Sequence, residues 1–169
     1  MAGKLVQVDN WEYSSDVNSV TLTGINSDNI YMLVTLGLQS DSTEATSIRF
    51  TESGVANATA NYDWSYRELI VSGIFSTPSN ENFNEIRFGA ASTGNNWDNT
   101  IHYIYNANNS SEYTIVASEN TRYGTATGQG RQGGGVFTVA SAVDGIQVGL
   151  QTNGTLNLTA GKMALYKVI

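Results

Sequence analysis

The chain has 169 residues, with 8 Lys and Arg against 15 Asp and Glu, a formal net charge of −7, one His, one Pro, 17 Gly and no Cys. This length suits one domain that buries its own core; disulfides, Cys-ligated metals and a multi-His site within one chain are excluded, and so thin a supply of cations disfavours nucleic acid and anionic membranes as partners. Charged residues make up 14% of the chain, against roughly 25% in ordinary globular domains, so Asn, Ser, Thr and Gly carry most of the polarity.

Met1-Ala2-Gly3-Lys4 leads directly into Leu5-Val6-Gln7-Val8 without an apolar signal core. The longest apolar run, residues 30–34, is far short of the ~18–20 residues that span a bilayer. The expectation is a soluble protein made in a cytoplasm.

From there the dominant period is two, which sends successive side chains to opposite faces of a sheet. Val20-Thr21-Leu22-Thr23 alternates, as does Ser47-Ile48-Arg49-Phe50-Thr51. Residues 31–38 are apolar on both faces and predict a central strand covered on both sides. Residues 64–74 fit a helix or a strand; Trp64, Tyr66 and Ile70 on one face favour a strand interrupted by Glu68. Glu85-Ile86-Arg87-Phe88 repeats the earlier Ile-Arg-Phe pattern. Ile101, Tyr103 and Tyr105 share a face, and Tyr113, Ile115 and Ala117 alternate with Thr114, Val116 and Ser118. The glycine-rich stretch 124–135 has no helix behind it to build a phosphate cradle, so it predicts a long loop. Ile146, Val148 and Leu150 form the next strand face, and Asn153-Gly154 predicts a hairpin joining it to residues 155–159. Met163 and Leu165 close the series. Roughly ten to twelve short strands without βαβ alternation predict a single all-β domain over residues 1–169, a jelly-roll-like antiparallel β-sandwich.

Catalytic signals are sparse. No P-loop, dinucleotide fingerprint, HExxH or nucleophile elbow occurs. His102 stands in a strand pattern with no carboxylate placed beside it, which favours a structural His. The acids, among them Asp41, Glu68, Glu85, Asp98, Glu119 and Asp144, are scattered, and no pair stands out for glycoside hydrolysis. Asp9, Asp16, Asp28, Asp41, Asp98 and Asp144 lack EF-hand spacing, so neither a metal nor a cofactor is expected. The aromatics carry more: Trp11, Tyr13, Trp64, Tyr66 and Trp97 are candidate interface anchors. Trp97, read as part of a polar loop with Asn95, Asn96 and Asp98, suits stacking on a sugar ring, with Arg122 and Tyr123 as further candidates for glycan contact.

Several segments together resemble one family. They are Leu5-Val6-Gln7, Ser19-Val20-Thr21-Leu22-Thr23-Gly24-Ile25, Tyr31-Met32-Leu33-Val34 and Leu38-Gln39-Ser40-Asp41-Ser42, then Ile48-Arg49-Phe50 with Gly54, Asn61-Tyr62 and the closing Gly161-Lys162-Met163-Ala164-Leu165-Tyr166-Lys167. They look like jelly-roll virion surface domains of tailed bacteriophages of marine bacteria and cyanobacteria: capsid decoration (cement) proteins, head fibres and tail-fibre tips. The resemblance spans residues 5–169 and departs at 95–99, at 124–135 and at the final Lys167-Val168-Ile169. It implies no catalytic residues. It implies a structural virion protein, made in the host cytoplasm, that binds the major capsid protein on the outer capsid surface and assembles with itself as a homotrimer. The alternative is a tail-fibre, receptor-binding or glycan-binding appendage that meets a host glycan.

Overall fold

The computed structural model describes residues 3–71, 73, 75–89, 97–124, 127–150 and 156–169. Among these are fourteen strands and no helix. In chain order they are β1 (Leu5–Glu12), β2 (Ser19–Thr23), β3 (Tyr31–Ser40), β4 (Thr46–Glu52), β5 (Val55–Ala56), β6 (Tyr62–Ile70), β7 (Phe75–Ser76) and β8 (Ser79–Phe83). β9 (Ile86–Arg87), β10 (Trp97–Tyr105), β11 (Tyr113–Gly124), β12 (Thr127–Ala140), β13 (Gly145–Leu150) and β14 (Leu158–Val168) follow. One sheet of nine strands runs β1-β14-β3-β10-β11-β12-β6-β7, with β8 also on β6; a second of five runs β2-β13-β4-β5, with β9 also on β4.

The pairing is nested. β1 pairs with β14, β2 with β13, β3 with β10 and β4 with β9, all antiparallel. A long ribbon of these four pairs, rolled so that alternate pairs fall in opposite sheets, is a jelly roll. β11, β12 and β6–β8 widen one sheet beyond this eight-strand core. The predicted sandwich is therefore the observed one, and its period-two faces hold: Val20, Leu22, Ile48, Phe50, Ile86, Phe88, Ile146, Val148, Leu150, Met163 and Leu165 are all buried. One hydrophobic cluster joins both sheets.

Four local expectations are corrected. Residues 151–155, including the Asn153-Gly154 turn, lie outside the described residues, but β13 and β14 are not hairpin partners; each joins a different sheet. Their apolar faces meet across the sandwich, which an in-plane hairpin would forbid. β3 is central in its sheet but covered on one side only: Tyr31 and Leu33 are buried, while Leu36 on the opposite face is 46% exposed. Trp97 opens strand β10 and does not lie in a loop. The glycine-rich stretch forms most of β12 and pairs residue by residue with both β11 and β6.

The glycines of β12 are a packing requirement. A Cβ on Gly133 would lie 2.5 Å from Tyr66 Cα and 2.7 Å from Tyr66 Cβ, and one on Gly135 would lie 2.7 Å from the Asp63 carbonyl oxygen and 3.0 Å from Ile86. Their bareness lets the large inward rings of Trp64 and Tyr66, stacked 5.6 Å apart, share the inner face of the adjoining strand. Gly133→Ala is expected to destabilise the fold by about 2 kcal/mol through overpacking. Gly130→Ala, whose nearest neighbour would be 3.7 Å away, should leave the urea midpoint in place.

Candidate functional site

Two regions collect side chains of functional interest: the polar interior under the wide sheet, and that sheet's outer face.

In the interior, β10 turns Asp98, Thr100, His102 and Ile104 inward and leaves Trp97, Asn99, Ile101 and Tyr103 on the outside. His102 Nδ1 and the Ser118 hydroxyl share a hydrogen bond of 2.6 Å, and Phe88 stands edge-on over the imidazole at 5.7 Å. Asp98, buried, accepts from Thr100 Oγ1 (3.0 Å) and Asn120 Nδ2 (2.9 Å). A cavity of about 10 Å³ lies beside His102, lined also by Thr35, Thr46, Phe88 and Gly89. That is room for about one water molecule and for no substrate.

The segment carrying Phe83, Ile86 and Phe88 roofs this interior, and ion pairs fix it there. Glu85, 1% exposed, sits between Arg49 (3.0 Å) and Arg87 (3.1 Å) and accepts from Ser47 (2.9 Å). Arg131 donates through Nη1 to the carbonyls of Phe88 (3.1 Å) and Gly89 (2.8 Å), through Nε and Nη2 to Glu68, and lies 4.7 Å over the Tyr66 ring. Partial burial raises the Glu68 carboxyl, but hydrogen bonds from Arg131 and Ser76 outweigh it and hold the group below the usual carboxylate range. Other acids close turns: Asp144 accepts from Thr51 and the Gly54 N–H, and Asp41 from the Asn157 backbone and side chain. Among the described residues no three His, Asp or Glu side chains converge as a metal site.

The outer face is different in kind. Antiparallel sheets that face water alternate apolar-in with polar-out. Here the outward positions include Leu36, Leu69, Phe75, Trp97, Tyr103, Ile115 and Tyr123, all exposed. Trp97 and Tyr123 are direct cross-strand partners, 52% and 64% exposed. The Trp97 ring lies against Gly37, where φ is +61° and a Cβ would meet the ring at 2.8 Å, so the indole has a fixed seat. A shallow trough of about 540 Å³ crosses the face past Ile115, Ala117, Gly134, Ser65 and Ser79.

The sequence candidates sort accordingly. Trp64 is 8% exposed and Tyr66 half-buried, both turned inward, so this fold does not present Trp64 to a partner. Trp11 packs against the core from the edge strand; Tyr13 is exposed, edge-on to Trp11, with its hydroxyl donating to Asp16 at 2.9 Å. Asn95 and Asn96 lie outside the described residues. Trp97 and Tyr123 come together, but Asp98 and Arg122, the next pair in the same register, point to the opposite face. Asp98 is spent on Thr100 and Asn120, and Arg122 on Gln129. The proposed glycan cluster is thus divided by the sheet itself. Of the residues that anchor the roof, Glu68 and Glu85 gave no sequence signal beyond being charges within strand patterns, and Arg131 lay in the stretch predicted as a loop.

Comparison with protein-family models, with curated proteins and with solved structures returns no match.

Two measurements test the interior. Burial pushes the His102 imidazole down to about 4, whereas an unfolded chain protonates it near about 6.5. Below that value the unfolded state holds a proton that the folded state refuses, so this contribution to stability falls between about pH 6.5 and 4, by at most about 3 kcal/mol, and is flat on either side. His102→Asn should reduce that slope in denaturation curves taken from pH 7 to 4. Arg131→Met should lower stability by about 2–4 kcal/mol by stranding Glu68 and two carbonyls, and Arg131→Lys should recover little, since a single ammonium cannot serve both partners in the same fork geometry.

Proposed function

We propose that this protein is a structural binding protein that works through a sheet face and carries out no catalysis. Its proposed setting is the outer surface of a tailed-phage virion, where it binds the major capsid protein and stabilises the shell. One observation supports the binding role above all: the outer face of the nine-stranded sheet is uncovered and carries aromatic and aliphatic side chains where a solvent face would carry polar ones. The ionisable groups in the interior, by contrast, are engaged in hydrogen bonds that hold the roof and the turns. The support for the virion setting is the resemblance of the strand patterns, together with the nested strand pairs that such a resemblance implies.

A second reading, a tail or appendage protein that binds a host glycan, has a specific observation in its favour. Trp97 and Tyr123 offer two adjacent exposed rings on which a sugar can stack.

Purified protein added to assembled phage shells should co-sediment with them, and analysis of virions should find hundreds of copies per particle. About a dozen copies or fewer would move the protein to the tail and defeat the decoration reading. Binding to a glycan array that is lost in Trp97→Ala would favour the second reading.

A further inference from the structure

β12 is the middle of one span of the outer face, flanked by β11 and β10 on one side and by β6 and β7 on the other. Its outward positions carry little bulk, because Gly130 and Gly134 alternate with Gln132. In the central row the register reads Glu119 on β11, Gln132 on β12 and Arg67 on β6. Glu119 and Arg67 are both exposed. Glu119 accepts only a neutral bond from Gln132 (3.1 Å), and Arg67 lies 4.7 Å over the Phe75 ring without a carboxylate partner among the described residues. One anion and one cation therefore stand at equal distances on either side of a strand that leaves room for close approach.

We propose that a second copy of this chain packs on this face about a two-fold axis running along β12. Such an axis lays each β11 position over the second copy's β6 position at the same level. Glu119 of each copy then meets Arg67 of the other, giving two equivalent ion pairs around a central Gln132. The same operation sets Thr121 against Leu69 and Ala117 against Ser65. It also brings Tyr123 towards Val71, whose N–H donates to Gly128. Packed sheets cross at about 30°, so this correspondence is closest in the central row, where the charges are. Asp63, which this register sets against Ile115, already accepts the Asn82 N–H at 2.8 Å.

The size is sufficient. Four strands of nine or more residues, with β7 and β8 end to end along β6 as a fifth row, spaced by about 4.8 Å, cover a projected area of about 700 Å², close to the ~800 Å² per partner of a standard interface. Little of the chain's charge falls on the contact. The chain carries −7 overall, but the acids on this face are Glu119, Asp63 and the trough-lining Glu81, set against Arg67, so most of the negative charge lies elsewhere.

The proposal rests on reading this face as a protein interface and not on the virion setting: it puts a two-fold pair where the resemblance implies a homotrimer, and it leaves the outward positions of β3, β14 and β1 for the shell; purified protein tests it without shells. Light scattering after gel filtration and sedimentation equilibrium should give twice the 18.2 kDa chain mass. Glu119→Arg or Arg67→Glu alone should each weaken association by at least about tenfold. The double variant E119R/R67E, which restores opposite charges across the axis, should return it to within about threefold of the original. Both sites are exposed, and unchanged melting temperatures would show that the variants are folded. A monomer at about 100 μM would overturn the proposal. So would a trimer or other oligomer indifferent to the reversals, or a double variant no tighter than the single ones. Shell binding by the folded single variants is scored separately, so the virion reading and the dimer can fail independently.

Discussion

The structure depends on covering one face of a wide sheet. Nine strands stand opposite five, and a narrow sheet cannot seal the inner surface of a broad one. Two devices close the difference. Phe50 from the narrow sheet packs against Tyr62 and Phe137 of the wide one, with centroids 6.4 and 5.8 Å away, and those two rings stack on each other at 4.9 Å; the Tyr62 hydroxyl bridges the Phe50 N–H and the Asn57 carbonyl at 3.0 Å each. Beyond that trio, the segment with Phe83, Ile86 and Phe88 acts as a roof. It is too short to pair as a full strand, and its hold comes from Arg131, Glu68 and the arginines around Glu85.

This explains why a chain poor in charge commits several of its charges to the inside. A roof of irregular backbone exposes carbonyls that the sheet cannot satisfy. Arg131 satisfies two of them and is itself neutralised by Glu68 and stacked on Tyr66. His102 and Ser118 satisfy each other beneath Phe88. The groups are enclosed and paired, beside a cavity of a single water's size.

Much of the fold was legible in the chain. Period-two alternation identified the inward faces of β2, β4, β13 and β14, because one-sided burial writes itself into every second residue. Residues 64–74 fitted a helix as well as a strand, and Trp64, Tyr66 and Ile70 favoured the strand with Glu68 as its apparent flaw; β6 runs Tyr62–Ile70, and that flaw is the ion pair with Arg131, a residue sixty-three positions away. What stayed hidden depends on three-dimensional partners. Glycines that look like a loop become a strand when stacked aromatics on the neighbour require their missing side chains. Trp97 and Asp98 look like one polar site, but a strand separates adjacent residues onto opposite faces. The outer face was legible only in fragments, since its residues come from strands distant in sequence and their alignment follows from register.

That face is the part of the molecule left without a structural explanation by the fold alone, and its burial by protein is the central claim. The most direct measurement is hydroxyl-radical footprinting of the purified protein across a concentration series, read by mass spectrometry at single side chains. Trp97, Tyr123, Phe75 and Leu69 start out exposed on the outer face, and Tyr13 and Val55 are exposed away from it. The account predicts that oxidation at the first four falls as concentration rises while Tyr13 and Val55 are unchanged. Equal oxidation at all six across the series, or protection confined to Tyr13 and Val55, would contradict it.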